Sequence, residues 1–195
     1  MKKGNLLNLN KMKTAKLFTA ALFATVLFTS CSSDDDTPEI VNEEEVISTV
    51  TVTLTNSEDS DDVVTLQMQD LDGDGPEVPV YTVENLSANT TYTGSIVLLN
   101  ETVDPAEDVT EEVKEENTDH QFFYTVGTGL DITTEYINYD DDGNPLGTEF
   151  TLTTGEAGSG NLTFTLIHQP TKPNTGLSDA DGETDAEATF SVTIE

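Results

Sequence analysis

The chain has almost nothing to cross-link with and little to bind an anion with. Its one cysteine, Cys31, rules out an internal disulfide and a cysteine-rich zinc site. It has no arginine, so the bidentate clamp used for phosphate or carboxylate is missing. Tryptophan is absent, and histidine occurs only at His120 and His168. No glycine-rich phosphate loop runs into a helix, and no serine, histidine and acid trio has a local signature. After Cys31 only Lys114 and Lys172 face all 38 acidic residues, and the whole chain carries a formal net charge of -31. Such a surface repels nucleic-acid backbones and anionic lipid, which excludes a nucleic-acid partner. It attracts cations, divalent ones above all. Carboxylate pairs can be picked anywhere in so acidic a chain, so they single out no glycosidase. No catalytic residue is assigned, and the chain reads as a non-enzyme.

Long apolar runs are also scarce. The one that stands out, residues 17–30, is uncharged and follows Lys11, Lys13 and Lys16. A bilayer-spanning helix needs about 20 apolar residues, so this run is short for that role and has the plan of a secretory signal. Met12 would serve as a start, which makes residues 1–11 an expected upstream extension. The run ends Phe28-Thr29-Ser30-Cys31, which resembles the lipobox of bacterial lipoproteins, with Phe28 where the pattern prefers leucine. The resemblance implies cleavage before Cys31 and lipid on its thiol and new amine. Several buried acyl chains, at about 0.8 kcal/mol per CH₂, form a durable anchor. Ser32-Ser33-Asp34-Asp35-Asp36 then resembles the export signal of Bacteroidetes lipoproteins sent to the cell surface. It implies an outer-membrane, surface-exposed location. The expected division is a signal peptide over 1–30, a lipidated cysteine and acidic tether over 31–45, and one domain over 46–195.

That domain shows the period of strands. Val50, Val52 and Leu54 alternate with threonines, with Val46 in the same phase, and Val64, Leu66 and Met68 alternate with Thr65, Gln67 and Gln69. Further strands are expected over 78–86 (an edge, given Pro79), 92–99, 122–126, 132–139, 146–154, 162–166 and 186–194. Asp104-Pro105-Ala106-Glu107 signals a helix start, predicting one short acidic helix over 105–116. Short strands with frequent turns and no βαβ alternation predict an all-β, antiparallel, immunoglobulin-like β-sandwich with one short helix.

Two groups of residues are candidate metal ligands. Asp70, Asp72, Asp74 and Gly75 open like a calcium loop, because alternating aspartates on a tight turn converge their oxygens. The twelfth position is Tyr81 rather than a bidentate glutamate, which excludes a helix–loop–helix site and leaves a looser Ca²⁺ site or a plain Asp-Gly turn. Two loops rhyme with it, at 140–144 and 179–185. His120 is in phase with Phe122 and Tyr124, and His168 with Phe164 and Leu166. Each stands at a strand end, and with nearby carboxylates the two form a candidate Zn²⁺ pair. The alternative is two partly buried polar strand ends.

Five segments carry a wider resemblance: 70–75, 88–92, 99–102, 119–124 and 182–185. Through them the chain resembles a group of small Bacteroidetes lipoproteins sometimes labelled type 1 periplasmic binding fold. That label implies an α/β domain, against the strand pattern, and the group brings no active site to carry over. The expected function is a surface-anchored, non-catalytic binding module, accessory to uptake of a cation or small ligand. Its expected partners are the outer membrane and an outer-membrane transporter or other envelope protein. The alternative is a structural or adhesive envelope lipoprotein with no small-molecule ligand.

Overall fold

A computed structural model describes residues 45–73 and 75–195. The expected signal peptide, Cys31, the tether through residue 44, and Asp74 lie outside the described residues. Among the described residues no helix is long and apolar enough to cross a membrane.

The described residues form two antiparallel sheets around one main core, so the all-β sandwich holds and the α/β label does not fit. The larger sheet contains β1 (Thr49–Asn56), β2 (Val63–Gln69), β3 (Val80–Val83), β4 (Thr91–Asn100), β5 (Glu107–Asp108), β7 (Ile132–Tyr136) and β8 (Glu149–Thr154). Its order is β3-β2-β1-β4-β8-β7, with β5 added on β4. The smaller sheet sets β9 (Gly158–His168) between β10 (Glu183–Ile194) and β6 (His120–Val126). One helix, α1 (Val109–Glu115), leads from β5 into β6.

Alternation decides which side chains face inward. Val50, Val52, Leu54, Leu66, Tyr92, Leu98 and Phe150 of the larger sheet share one buried cluster with Phe122, Phe164, Leu166 and Phe190 of the smaller. Phe150 and Phe164 meet across the sandwich at 5.7 Å between ring centroids. Gly94 lies opposite Phe150 in the ladder, and a Cβ there would stand 2.4 Å from the ring, so the ring lies where any other side chain would go. The half-buried Tyr124 and Tyr136 donate their hydroxyls to the carbonyls of Gly147 and Phe122, and desolvation pushes both phenols up.

Several expected boundaries shift: the strand expected over 132–139 ends at Tyr136, that over 146–154 begins at Glu149, and three others have a clear cause. Val46 shares the phase of the first strand but is exposed, because pairing starts only at Thr49. The third strand shortens to Val80–Val83 at the sheet edge, and Pro79 falls just outside it. The helix begins at Val109 rather than 105. Glu107 and Asp108 pair with Asn100 and Leu99 as strand, and Asp108 caps the helix by accepting from Thr110 N–H at 3.0 Å. A capping signal at Asp104 loses here to a tertiary ladder.

Candidate metal centre

β6 opens with His120 and β9 ends with His168, and the two are direct partners across the ladder. The strand phase turns both inward, and their side chains are 0% and 2% exposed. Their rings stack with centroids 4.7 Å apart and planes at 14°.

Two carboxylates that sequence reasoning missed complete the cluster. Asp185 lies on β10, whose inward residues are Ala186, Ala188, Phe190, Val192 and Ile194. Strict alternation would send Asp185 outward. The β9–β10 register, however, shifts between Thr184 and Ala186, and the extra residue in that bulge is Asp185. A bulge re-aims one side chain, and here the aspartate is 1% exposed. Glu45 precedes β1 and belongs to no strand, yet its side chain is 3% exposed. The one available sequence signal for Asp185 was the Asp-Gly loop beside it. For Glu45 there was none, because it is one of three consecutive glutamates.

The four donors stand close. His120 Nε2 is 3.0 Å from Glu45 Oε1 and 3.6 Å from Asp185 Oδ2. His168 Nδ1 is 3.7 Å from Asp185 Oδ1 and 3.9 Å from Glu45 Oε2. One ligand atom from each residue lies within 4.8 Å of every other. Tetrahedral Zn²⁺ with bonds of about 2.0–2.1 Å spaces its donors roughly 3.3 Å apart, and the four imidazole–carboxylate distances lie around that spacing. The other ring nitrogen of His120 faces the Glu116 carbonyl at 3.2 Å. A carbonyl only accepts, so Nδ1 donates to it, and Nε2, 3.0 Å from Glu45 Oε1, is the ring nitrogen that could ligate an ion; an outer contact of this kind is typical of metal-binding histidines.

Electrostatics favour a cation here. Among the described residues, Glu45 Oε2 is buried and accepts no hydrogen bond. Two carboxylates, two neutral imidazoles and one divalent ion sum to zero charge, which removes the penalty of burying like charges together. The excess negative charge reaches α1: the Glu112 carboxyl is pushed up by desolvation and then by the charges of Glu45 and Glu116. The cluster can therefore hold a metal ion.

The surrounding loops brace it. Lys172 Nζ donates to the His120 carbonyl at 2.6 Å, the Asn117 carbonyl at 3.0 Å and Asp140 Oδ2 at 2.9 Å. Asp140 Oδ1 accepts from the N–H groups of Asp142 and Asn144. Burial opposes charge on Asp140, but its bonds from Lys172 and Asn144 outweigh that and hold its carboxyl below the usual range. Gly182 sits at φ 85°, and a Cβ there would stand 2.4 Å from the His168 carbonyl. Glycine thus lets the turn into β10 pass close to the site.

Of the expected ligands, the structure brings His120 and His168 together and leaves Asp70 and Asp72 outside their cluster. Asp72 is exposed, and its carboxylate accepts from Glu77 N–H at 3.0 Å, the work of a turn residue. Two of the three Asp-Gly loops do serve the histidine site, one through Asp140 and Lys172 and the other by supplying Asp185. No family model, curated protein or solved structure matches this chain.

Proposed function

We propose that this protein is a lipid-anchored module of the outer-membrane surface that holds one divalent transition-metal ion, Zn²⁺ first among them, and catalyses no reaction. One observation carries the metal reading: four donors from four separate segments converge with their side chains 0–3% exposed. Two imidazoles favour Zn²⁺ over Ca²⁺, which takes six to eight oxygen ligands. With four protein donors the set is closed, as in sites where the ion is structural; a catalytic zinc keeps a position open. The lipid anchor rests on Phe28-Thr29-Ser30-Cys31 and the acidic run after it.

The full-length chain, purified in detergent, is titrated calorimetrically with Zn²⁺, Co²⁺, Mn²⁺ and Ca²⁺, and its metal content is measured after dialysis. The expected result is one Zn²⁺ per chain and no heat with Ca²⁺; absence of all four would end the metal reading. Labelling with a radioactive fatty acid tests the anchor, and incorporation should vanish in Cys31→Ser.

The closed donor set also favours another reading, a structural or adhesive envelope protein in which the ion is a permanent part rather than cargo. Exchange separates the two. A cargo ion leaves for a chelator within minutes, whereas a permanent one leaves only on unfolding.

A further inference from the structure

Three of the four donors sit on the three strands of the smaller sheet, and the fourth does not. Glu45 ends the acidic stretch, and four residues later the chain enters the larger sheet as β1. It is 75 positions from its contact at His120. A bond at Glu45 therefore ties the start of the domain to the opposite sheet. We propose that the bound ion acts as a clasp, fixing the membrane-proximal start of the domain to the smaller sheet through Glu45. The proposal rests on the metal reading above.

Charge sets the need for it. From Cys31 to Glu45 the only charged residues are acidic, and the domain beyond holds two lysines among its many acids. Every charge in that stretch has the sign of the domain's own net charge, so the two repel. Docking its last glutamate inside the domain runs against that repulsion. Among the described residues, one of the carboxylate's oxygens bonds to His120, and the other is buried without a hydrogen bond, 3.9 Å from His168 Nδ1. A divalent cation inverts the local sign and makes the approach of Glu45 favourable. The rest of the segment is ready to follow: Ser48 N–H donates to the Leu99 carbonyl at 2.9 Å, and the Ser48 carbonyl accepts from Asp70 N–H at 2.7 Å.

The clasp also substitutes for cross-links the chain cannot make. With one cysteine there is no disulfide. An ion joining Glu45, His120, His168 and Asp185 closes three long loops at once, which constrains the unfolded chain as disulfides do.

The test follows hydrogen–deuterium exchange at residues 46–48 and cleavage by a glutamyl endopeptidase at residues 43–45, in the full-length chain in detergent. Both are measured with and without one equivalent of Zn²⁺, and bound metal is counted in every sample. The expected result is at least a tenfold slowing of both by Zn²⁺. In Glu45→Gln the remaining three donors still take up Zn²⁺, more weakly, but the slowing disappears. If Zn²⁺ binds one to one and neither rate changes, or if Glu45→Gln keeps the full slowing, the clasp is wrong and the metal site stands. If no Zn²⁺ binds, both fall. Glu45→Asp, one methylene shorter, keeps charge and fold and should lose most of the slowing, so a misfolded Gln variant cannot decide the matter.

Discussion

At one end of the smaller sheet, Glu45 and Asp185 are buried against two histidines; in the loop at 70–76, Asp72 stands in water and accepts one backbone N–H. Both groups are carboxylates, and the spacing of aspartates along the chain favours the loop as the metal site. Burial separates them. An exposed carboxylate is satisfied by water and has no need of an ion. A buried pair must be neutralised, and the protein supplies imidazoles at ligand distance rather than arginine, which it lacks. Asp140 is a third case, a buried carboxylate answered by Lys172.

The largest expected effect comes from breaking that third case. Lys172→Met leaves Asp140 charged and buried, and should cost about 3–5 kcal/mol in urea unfolding. Lys114→Met removes an exposed partner of Glu111, and should stay within about 0.5 kcal/mol. Similar losses from the two would show that burial is not what separates these groups.

Next is the ligand set. His168→Ala should weaken Zn²⁺ binding more than about a hundredfold, since even outer contacts of ligands cost 10–100-fold. Calorimetric titration reads this directly, and unchanged affinity would place the ion elsewhere.

A smaller effect appears with pH. The Asp140 carboxyl is lowered in the folded chain, so its charge stabilises the fold above the ordinary aspartate value of 3.8. That stability is lost as pH falls through the depressed folded value. The stability difference between the native chain and Asp140→Asn should be constant above about pH 5 and shrink below about pH 4. Urea midpoints measured from pH 7 to 2.5 check it; a constant difference throughout would remove the ion-pair account.

Smallest is Asp72→Asn. Asparagine keeps an oxygen for Glu77 N–H, so stability should change by less than about 0.5 kcal/mol and Zn²⁺ affinity not at all. A lost metal response in this variant would reverse the comparison between the two regions.

The local facts are legible in the order of residues alone. A period of two put Val50, Val52, Leu54, Phe164 and Phe190 inward, and the same phase turned His120 and His168 toward the core. Composition settled the sign of the field and the absence of cross-links. The rest came from long-range pairing in the folded chain. Whether His120 faces His168 depends on the register of β6 on β9, which is set by packing over many residues. Asp185 points inward because of one bulge that breaks the period used to read the strand. Glu45 arrives from ahead of the first strand, across 75 positions of chain, where no local pattern can reach. The helix start moved from Asp104 to Asp108 for a related reason, a ladder with β4 that the local capping signal does not contain. Local preference fixes the face a residue takes, while tertiary pairing fixes what it meets there.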